Sequence, residues 1–306
     1  PFPGRFRWAA MTGRWAKPLA GWMPASLRVM LELLPDRLPP RQRWDEVYAA
    51  VGRRRARVAL LTGCAQSVLD PDINSATIDV LTRNGVEVVV PPKQTCCGAL
   101  SWHVGNLPRA RAFAAANLSV FPDDTDAIIT NAAGCGSGMH EYHLILKGTE
   151  HEEAAERFRH RVVDVSRFLH SLGELQEIPD PGGPVRIAYH DACHLANAQG
   201  VRSEPRSLLR MIPGVQLQEI AEGHLCCGSA GTYNIDQPDI ARSLGRQKVA
   251  NILATDPDWV ATGNIGCLTQ LATHLAGTSP GVPVRHTLQI LRDAYAGKLT
   301  PPQRPN

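Results

Sequence analysis

Two copies of the triplet Cys-Cys-Gly occur in the sequence, at residues 96–98 and 226–228. Another cysteine precedes each triplet and a further one follows it. Counted between cysteines, the gaps before and after each Cys-Cys pair are 31 and 37 residues in the first copy and 32 and 39 in the second. All eight cysteines of the chain belong to this pattern. The two sets of thiols are Cys64, Cys96, Cys97 and Cys135 in the first copy, and Cys193, Cys226, Cys227 and Cys267 in the second.

Four thiolates per copy suit either an iron–sulfur cluster or a zinc site with four cysteine ligands. Structural zinc sites usually space their cysteines as C-x2–4-C, whereas these cysteines are adjacent. Neighbouring side chains on an extended backbone point in opposite directions, so both reach one small ion only through a strained turn. A cluster offers separated iron atoms, and the pattern therefore favours a cluster. A zinc-stapled scaffold, redox-active thiols and a strained vicinal disulfide are the alternatives.

Glycine and histidine residues next to the cysteines are further candidates for the site. Gly98 and Gly228 permit a positive φ, so the backbone could lie close against a cofactor. His190 and His194 flank Cys193 and could donate hydrogen bonds to thiolates, carry protons or bind iron. For His224, before the second pair, an ordinary structural role is favoured. The corresponding stretch of the first copy, "LTGCAQS", contains no histidine, so the two sites are not chemically equivalent.

The segments between the cysteines must bring them together. Each copy reads as strand, helix, strand, loop, helix, strand, with the cysteines at or just beyond strand ends. Such alternation predicts an α/β fold with a mostly parallel sheet, which binds ligands at the carboxyl ends of its strands. The predicted segments are 57–63, a helix ending at Gly85, 86–92, 107–121 and 126–135 in the first copy, and 186–196, 205–214, 215–220, 239–253 and 258–267 in the second.

The repeat predicts two pseudo-symmetric lobes with helices flanking each sheet. A helix is predicted over 151–172, followed by the breaker "PDPGGP" at 179–184. The predicted division is a basic, Trp-rich helical lead-in over 1–56, a first lobe over 57–150, a linker helix and loop over 151–184, a second lobe over 185–296 and a tail over 297–306.

Charge is distributed unevenly along the 306 residues. The net charge is +3, but the first 57 residues carry +8, and they include Trp8, Trp15 and Trp22. This segment could dock on an anionic membrane surface or an acidic partner, although a helix pair covering the next domain is favoured. Nucleic acid is not expected as a partner, because the remaining chain is acidic and has no recognition motif. No apolar stretch approaches the roughly 18 residues of a membrane-spanning helix.

The spacing of the cysteines and the two Cys-Cys-Gly triplets resemble the cysteine-rich, or CCG-domain, family over residues 58–290. Within that family, "MPASLRVMLELLPDRLPP" and "NAAGCGS" are most similar to the iron–sulfur subunits of glycolate oxidase, and the catalytic subunit of heterodisulfide reductase is a relative. The fuller family pattern ends in Cys-x-x-Cys. Here Ala132 and Asn264 stand three residues before the last cysteines, and Gly138 and Gln270 three after. This departure argues against five-thiolate clusters and leaves four-ligand clusters, with a degenerate site in one of the two copies as an alternative.

The resemblance implies one or two iron–sulfur clusters, of the [4Fe–4S] type, in an electron-transfer subunit of a flavin-linked 2-hydroxy-acid (glycolate) dehydrogenase. It implies a flavoprotein partner that carries FAD, and a quinone-type or other acceptor. A lactate-oxidising or heterodisulfide-reductase-like subunit is the alternative. This chain has no Rossmann G-x-G-x-x-G after a strand, so FAD is not expected on it.

The beginning of the chain carries further expectations. It begins at Pro1 and has no secretory signal, which predicts a cytoplasmic chain, with peripheral contact to the inner face of the cytoplasmic membrane as an option. The resemblance also implies a ferredoxin module, which would either lie upstream of this start or be missing.

Overall fold

A computed structural model gives the fold and describes residues 2–276, 278 and 281–300. Pro1 and residues 301–306 of the predicted tail lie outside the described residues. The strands are β1 (Val47–Tyr48), β2 (Ala56–Leu60), β3 (Val86–Val89), β4 (Ala127–Thr130), β5 (Val162–Asp164), β6 (Val185–His190), β7 (Val215–Glu219), β8 (Trp259–Thr262) and β9 (Val284–His286).

Helices connect these strands and cover both sheets. They are α1 (Pro3–Ala16), α2 (Ala25–Glu32), α3 (Gln66–Leu69), α4 (Asp72–Arg83), α5 (Ala99–His103), α6 (Leu107–Leu118), α7 (Ala133–His140), α8 (Tyr142–Ile145), α9 (Glu152–Arg159), α10 (Val165–Ser171), α11 (Ser203–Arg210), α12 (Tyr233–Asp236), α13 (Pro238–Leu253), α14 (Ile265–Leu275) and α15 (Thr287–Tyr295). A 3-10 helix (Lys17–Trp22) and a π-helical turn (His194–Ala198) complete the elements.

The strands form two sheets with the same topology. The first has the order β1-β3-β2-β4-β5 and the second the order β7-β6-β8-β9. All neighbouring pairs are parallel except β1 with β3, which is an antiparallel addition at one edge. The predicted α/β fold with two duplicated lobes and a helical N-terminal segment is confirmed.

The central strands are apolar because helices cover both of their faces. All four residues of β4 are buried, and Val58, Ala59 and Leu60 of β2 are fully buried. The largest buried cluster joins residues of both lobes, among them Val58 of the first sheet and Ile187 of the second. The lobes therefore share a core.

Ion pairing between α4 and α15 also joins the lobes. The Arg292 guanidinium donates two hydrogen bonds to the Asp72 carboxylate, at 2.5 and 3.0 Å, and Gln289 donates to the same carboxylate. The predicted end of α4 is confirmed, because Gly85 follows it with φ +80°. A Cβ on Gly85 would lie 2.8 Å from the carbonyl oxygen of Arg53, so the backbone approach requires glycine.

The prediction of one continuous helix over 151–172 was wrong. The segment folds as α9, β5 and α10, and β5 pairs with β4 in the first sheet. β9 and α15 hold the same places in the second lobe, so the duplication includes a fourth parallel strand and its helix. α10 and α15 begin in the same way. The side chains of Asp164 and His286, which precede these helices, accept hydrogen bonds from the backbone N–H two residues later, at 2.9 and 3.1 Å.

The His286 cap makes stability dependent on pH. Burial lowers the pKa of His286 to about 4, below the roughly 6.5 of an unfolded histidine. Its contribution to stability is therefore present above pH ~6.5 and is lost as the pH falls through 4. We expect His286→Asn, which keeps a capping acceptor, to remove this dependence. From pH ~6.5 to ~4.5 the wild-type chain should lose about 2 kcal/mol more unfolding free energy than the variant.

Urea unfolding of both proteins across this range measures the difference. Burial raises the pKa of Asp164 to about 6, which opposes the histidine effect, but Asp164 is present in both proteins and cancels in the comparison. Parallel pH profiles for wild type and variant would contradict the assignment.

Candidate metal centres

The first set of thiols assembles at the carboxyl edge of the first sheet. Cys64 follows β2, the adjacent pair follows β3, and Cys135 lies in the first turn of α7, directly after β4. The Sγ atoms of Cys64 and Cys96 are 3.4 Å apart. Cys97 interacts in turn with Cys96 and Cys135, each of which shifts the pKa of its thiol. Parallel topology thus brings together four thiols that are far apart in sequence.

The second set assembles in the same way. Cys193 precedes the π-helical turn after β6, the adjacent pair follows β7, and Cys267 lies in the first turn of α14. Cys193 interacts with Cys226, which interacts with Cys227, which interacts with Cys267. The structure therefore groups all eight predicted ligands into two sets of four, and all eight are free thiols.

The Cys-Cys-Gly triplet forms a tight turn in each lobe. Gly98 and Gly228 have φ of +79° and +90°, and their backbone N–H groups donate to the Sγ atoms of Cys96 and Cys226 at 3.4 and 3.3 Å. A Cβ on Gly228 would lie 2.5 Å from the carbonyl oxygen of Ala241 in α13. Glycine is thus required by the turn and by the close approach of a helix, in addition to the predicted approach of a cofactor.

The thiols are too crowded to ionise together without a cation. Cys97, Cys227 and Cys267 are buried, with 4%, 2% and 4% of their surfaces exposed. The neighbouring Cys96 thiol and burial raise the pKa of Cys64, and Cys226 and burial act in the same way on the pKa of Cys193. Thiolates are the ligand form, so a positively charged metal group is what would stabilise four of them at each place. The donor sets therefore fit metal centres.

Polar groups distinguish the second set from the first. His190 is 1% exposed, and among the described residues neither ring nitrogen makes a hydrogen bond of normal geometry, although its ring lies close enough to Cys267 to act with Cys227 in lowering the pKa of that thiol. The Asn264 amide donates to the Cys267 Sγ at 3.5 Å. Lys248 is also buried and donates to the Glu222 carbonyl at 2.7 Å; burial lowers the pKa of Lys248, while the nearby Cys227 acts to raise it.

The first lobe has different residues at these places. Aligning "RVALLTGC" with "RIAYHDAC" places Leu61 opposite His190, and Ala132 corresponds to Asn264. Ala110 packs on Gly98 and Ala241 packs on Gly228, so the two alanines hold equivalent positions in the two lobes. Asn117 and Lys248 follow these alanines at the same spacing and are therefore equivalent as well. Asn117 donates to the Cys96 carbonyl and to the Tyr142 hydroxyl, each at 3.0 Å. Sequence reasoning missed Asn117 and Lys248, although aligning the two repeats could have drawn attention to both.

The other two histidines lie differently. The Nδ1 atom of His194 is 3.7 Å from the Cys193 Sγ, and its ring stacks on His103 with centroids 5.5 Å apart. His103 belongs to the first lobe, after the first Cys-Cys-Gly, and sequence reasoning missed it as well. His224 is exposed.

The two sites face each other across the contact between the lobes. Asn264, beside Cys267, accepts a hydrogen bond from the backbone N–H of Gly134, the neighbour of Cys135, at 3.3 Å. Gln199 donates to the Ala133 carbonyl at 2.9 Å. The helix that carries Cys135 is thus held directly against the second site.

The second helix of the lead-in packs on the second lobe, while three tryptophans of the lead-in remain exposed. α2 buries Val29 and Leu31, and Glu32 pairs with Arg242 of α13 at 3.8 Å. Trp8, Trp15 and Trp22 are 69%, 89% and 92% exposed. No helix among the described residues is long and apolar enough to cross a membrane.

The fold and site define a duplicated α/β protein with a four-cysteine centre in each lobe. The model of the family "CCG: Cysteine-rich domain" matches residues 58–140 and 187–272, more than half of the chain. The chain belongs to this cysteine-rich domain family, in two copies.

Curated relatives carry related names. The chain is 34% identical over 91% of its length to the "Probable glycolate oxidase iron-sulfur subunit" of Bacillus subtilis, and 32% identical over 96% to the "Glycolate oxidase iron-sulfur subunit" of Escherichia coli. It spans 64% and 69% of these two relatives. It is 27% identical over 79% of its length to "Lactate utilization protein A" of Oceanobacillus iheyensis, of which it covers 99%.

A solved structure has a similar fold. It is a hypothetical protein from Helicobacter pylori, with a TM-score of 0.53 and 11% sequence identity. The similarity covers 92% of this chain and 57% of that one, and at this identity it concerns the fold alone.

Adding a methyl group to the second triplet tests the turn geometry. Gly228→Ala combines an unfavourable positive φ with a Cβ only 2.5 Å from a backbone oxygen, so the loop must move away from α13. We expect a loss of roughly 1–3 kcal/mol in unfolding free energy and loss of metal from the second site. Urea unfolding and metal analysis measure both.

Gly98→Ala is the matched control. It carries a similar φ penalty, but its nearest contact is the Phe113 Cβ at 3.3 Å, which is a milder approach than 2.5 Å. Its losses should therefore be smaller. Equal losses in the two variants would mean that φ alone, and not the approach of α13, requires glycine.

Proposed function

We propose that each four-cysteine set binds an iron–sulfur cluster and that the chain is an electron-transfer subunit of a flavin-linked 2-hydroxy-acid dehydrogenase. The observation that carries this proposal is the convergence of four thiols at each carboxyl edge, with the two sets facing each other between the lobes. The names of the relatives, iron–sulfur subunits of glycolate oxidase, support it.

The residues of the chain hold and shield the centres. A bound cluster would supply one-electron transfer, and the protein sets its position and potential. Gly98 and Gly228 direct their N–H groups at sulfur, and such hydrogen bonds are one means of adjusting potential. The burial of Cys97, Cys227 and Cys267 keeps water away. The shared core and the Asn264 contact fix the spacing between the centres.

The substrate of the complex is proposed to be glycolate, oxidised on a separate flavoprotein subunit that carries FAD. Electrons would then pass through this chain to a quinone-type or other acceptor. Glycolate oxidation by this chain alone would contradict the assignment. Lactate is the second candidate, because the chain covers nearly the whole length of a lactate utilization protein.

Metal analysis of cysteine variants tests the centres. The anaerobically purified chain should be brown and contain iron and acid-labile sulfide. Cys226→Ser should remove the second centre and about half of the iron, because each lobe supplies its own ligands. Iron, sulfide and zinc assays with EPR spectroscopy measure this.

Cys96→Ser, the equivalent change in the first lobe, is the control and should remove the other EPR signal. Loss of both signals from either variant would rule out two separate sites. A colourless chain with stoichiometric zinc would instead support the zinc scaffold.

The exposed tryptophans of the lead-in are proposed to contact an anionic membrane surface peripherally. Trp8, Trp15 and Trp22 are largely exposed on a segment with a charge of +8 over residues 1–57. Amphipathic aromatic rings and basic side chains together favour the interface of anionic lipids.

Vesicle sedimentation tests this contact. The chain should bind vesicles that contain phosphatidylserine, and binding should weaken in high salt. Replacing Trp8, Trp15 and Trp22 with serine should lower the affinity roughly tenfold or more. Vesicles of phosphatidylcholine alone are the control. Equal binding by wild type and variant would show that the tryptophans do not contact the membrane. If the chain binds no vesicles at all, the surface would instead be assigned to a protein partner.

A further inference from the structure

The His190 side chain is buried at the end of β6, with 1% of its surface exposed. Neither ring nitrogen makes a hydrogen bond of normal geometry within the described residues, and the ring approaches the Cys267 thiol, whose pKa is lowered by Cys227 and by this ring. Imidazole nitrogens that are removed from water normally bind a partner, because an unpaired buried polar atom is costly. The thiol can satisfy one ring nitrogen at most, so the environment of His190 has room for a further partner.

Two thiols of the second site lie next to this imidazole. A ring nitrogen of His190 and the Sγ atoms of Cys227 and Cys267 all lie within 4.8 Å of one another, and all three residues are buried. Ligands of one metal ion, bound at about 2.0–2.3 Å, lie within roughly 4.5 Å of each other. The spacing is thus close to that of three ligands on one metal ion.

The first lobe has no equivalent group. Leu61, at the corresponding strand position, is 2% exposed and packs in an apolar cluster with Cys96 and Cys97. The same fold and the same thiols therefore surround an aliphatic side chain in one lobe and an imidazole in the other. This contrast indicates that a buried histidine is not needed to build the fold at this position.

We propose that His190 is a metal ligand of the second site, so that this site has four thiolates and one imidazole while the first has thiolates alone. The inference rests on the proposed metal centres. The four thiolates stay in place, and the imidazole adds a neutral nitrogen donor that the first site lacks. Because ligand type and the groups around the ligands adjust the potential of a metal centre, we expect the two centres to differ in reduction potential.

Nitrogen hyperfine spectroscopy tests the proposal on the full chain. Pulsed EPR of the reduced protein, labelled with 15N-histidine, should detect a directly coordinated nitrogen at the second centre. His190→Leu, which copies the residue of the first lobe, should lose this coupling. We expect a roughly tenfold or greater weakening of metal binding at this site and a reduction potential shifted towards that of the first centre.

Two controls separate ligation from packing. His194→Leu removes a histidine that also lies near a ligand thiol, and it should keep the nitrogen coupling. Should His190→Leu fold poorly, His190→Gln retains a polar side chain of similar reach and should still lose the imidazole signal. Leu61→His, the reciprocal change, places an imidazole at the first site and should shift the potential of that centre towards that of the second.

The outcomes distinguish this inference from the function on which it rests. Iron in both sites with no histidine coupling, or a coupling that survives in His190→Leu, overturns the ligand assignment and leaves the electron-transfer proposal intact. If neither site binds iron, the proposed function fails first. Zinc in the second site with nitrogen in its X-ray absorption spectrum would support His190 as a ligand and overturn the redox role of that site.

Discussion

The packing of four thiols at the carboxyl edge of each sheet is the constraint on which the rest of the structure depends. Adjacent cysteines can both turn inward only where the chain reverses, and Gly98 and Gly228 provide that reversal with positive φ and N–H groups directed at sulfur. Because Gly228 has no Cβ, the backbone of α13 packs closer to this loop than it could against any other residue. The crowded thiols then require positive charge, which a metal centre supplies.

The duplication gives the two lobes a common frame and allows their sites to differ. Both lobes use the same strand order, the same turn and the same four cysteines. Their differences are confined to the surrounding residues, where Leu61, Ala132 and Asn117 are replaced by His190, Asn264 and Lys248. These replacements change polarity and charge around the thiols while the apolar strands and helices keep their places. Electron transfer benefits from such an arrangement, because spacing stays fixed while potentials diverge.

The contact between the lobes is part of the site. Asn264 touches a ligand sulfur of one lobe and the backbone next to a ligand of the other. The shared apolar core and the ion pair between Asp72 and Arg292 hold this contact rigid. The exposed tryptophans lie on the lead-in, whose second helix packs on the second lobe. The two proposed functions of the chain, holding centres and meeting a surface, are thus carried by different segments.

The sequence by itself determined the architecture and which cysteines are the candidate ligands. Eight cysteines in two sets with near-equal spacing indicated two sites, and apolar strands alternating with helices indicated parallel sheets. These features depend on local pattern and order along the chain, which can be read without coordinates. The helix predicted over 151–172 failed because β5 has only three residues and is a strand through pairing with β4, a contact that local pattern does not reveal.

The sequence indicated that the two sites differ, but only the tertiary structure decided which polar groups lie beside the thiols. His190, Asn264 and Lys248 are far apart in the sequence. The sequence alone also does not distinguish a lysine in solvent from one that is buried near thiols. The burial of His190 beside Cys227 and Cys267 became visible only when β6, β7 and β8 lay side by side. The physical reason is that a ligand set is defined by distances of a few ångströms between side chains, and parallel sheets bring such side chains together from strands that are distant along the chain.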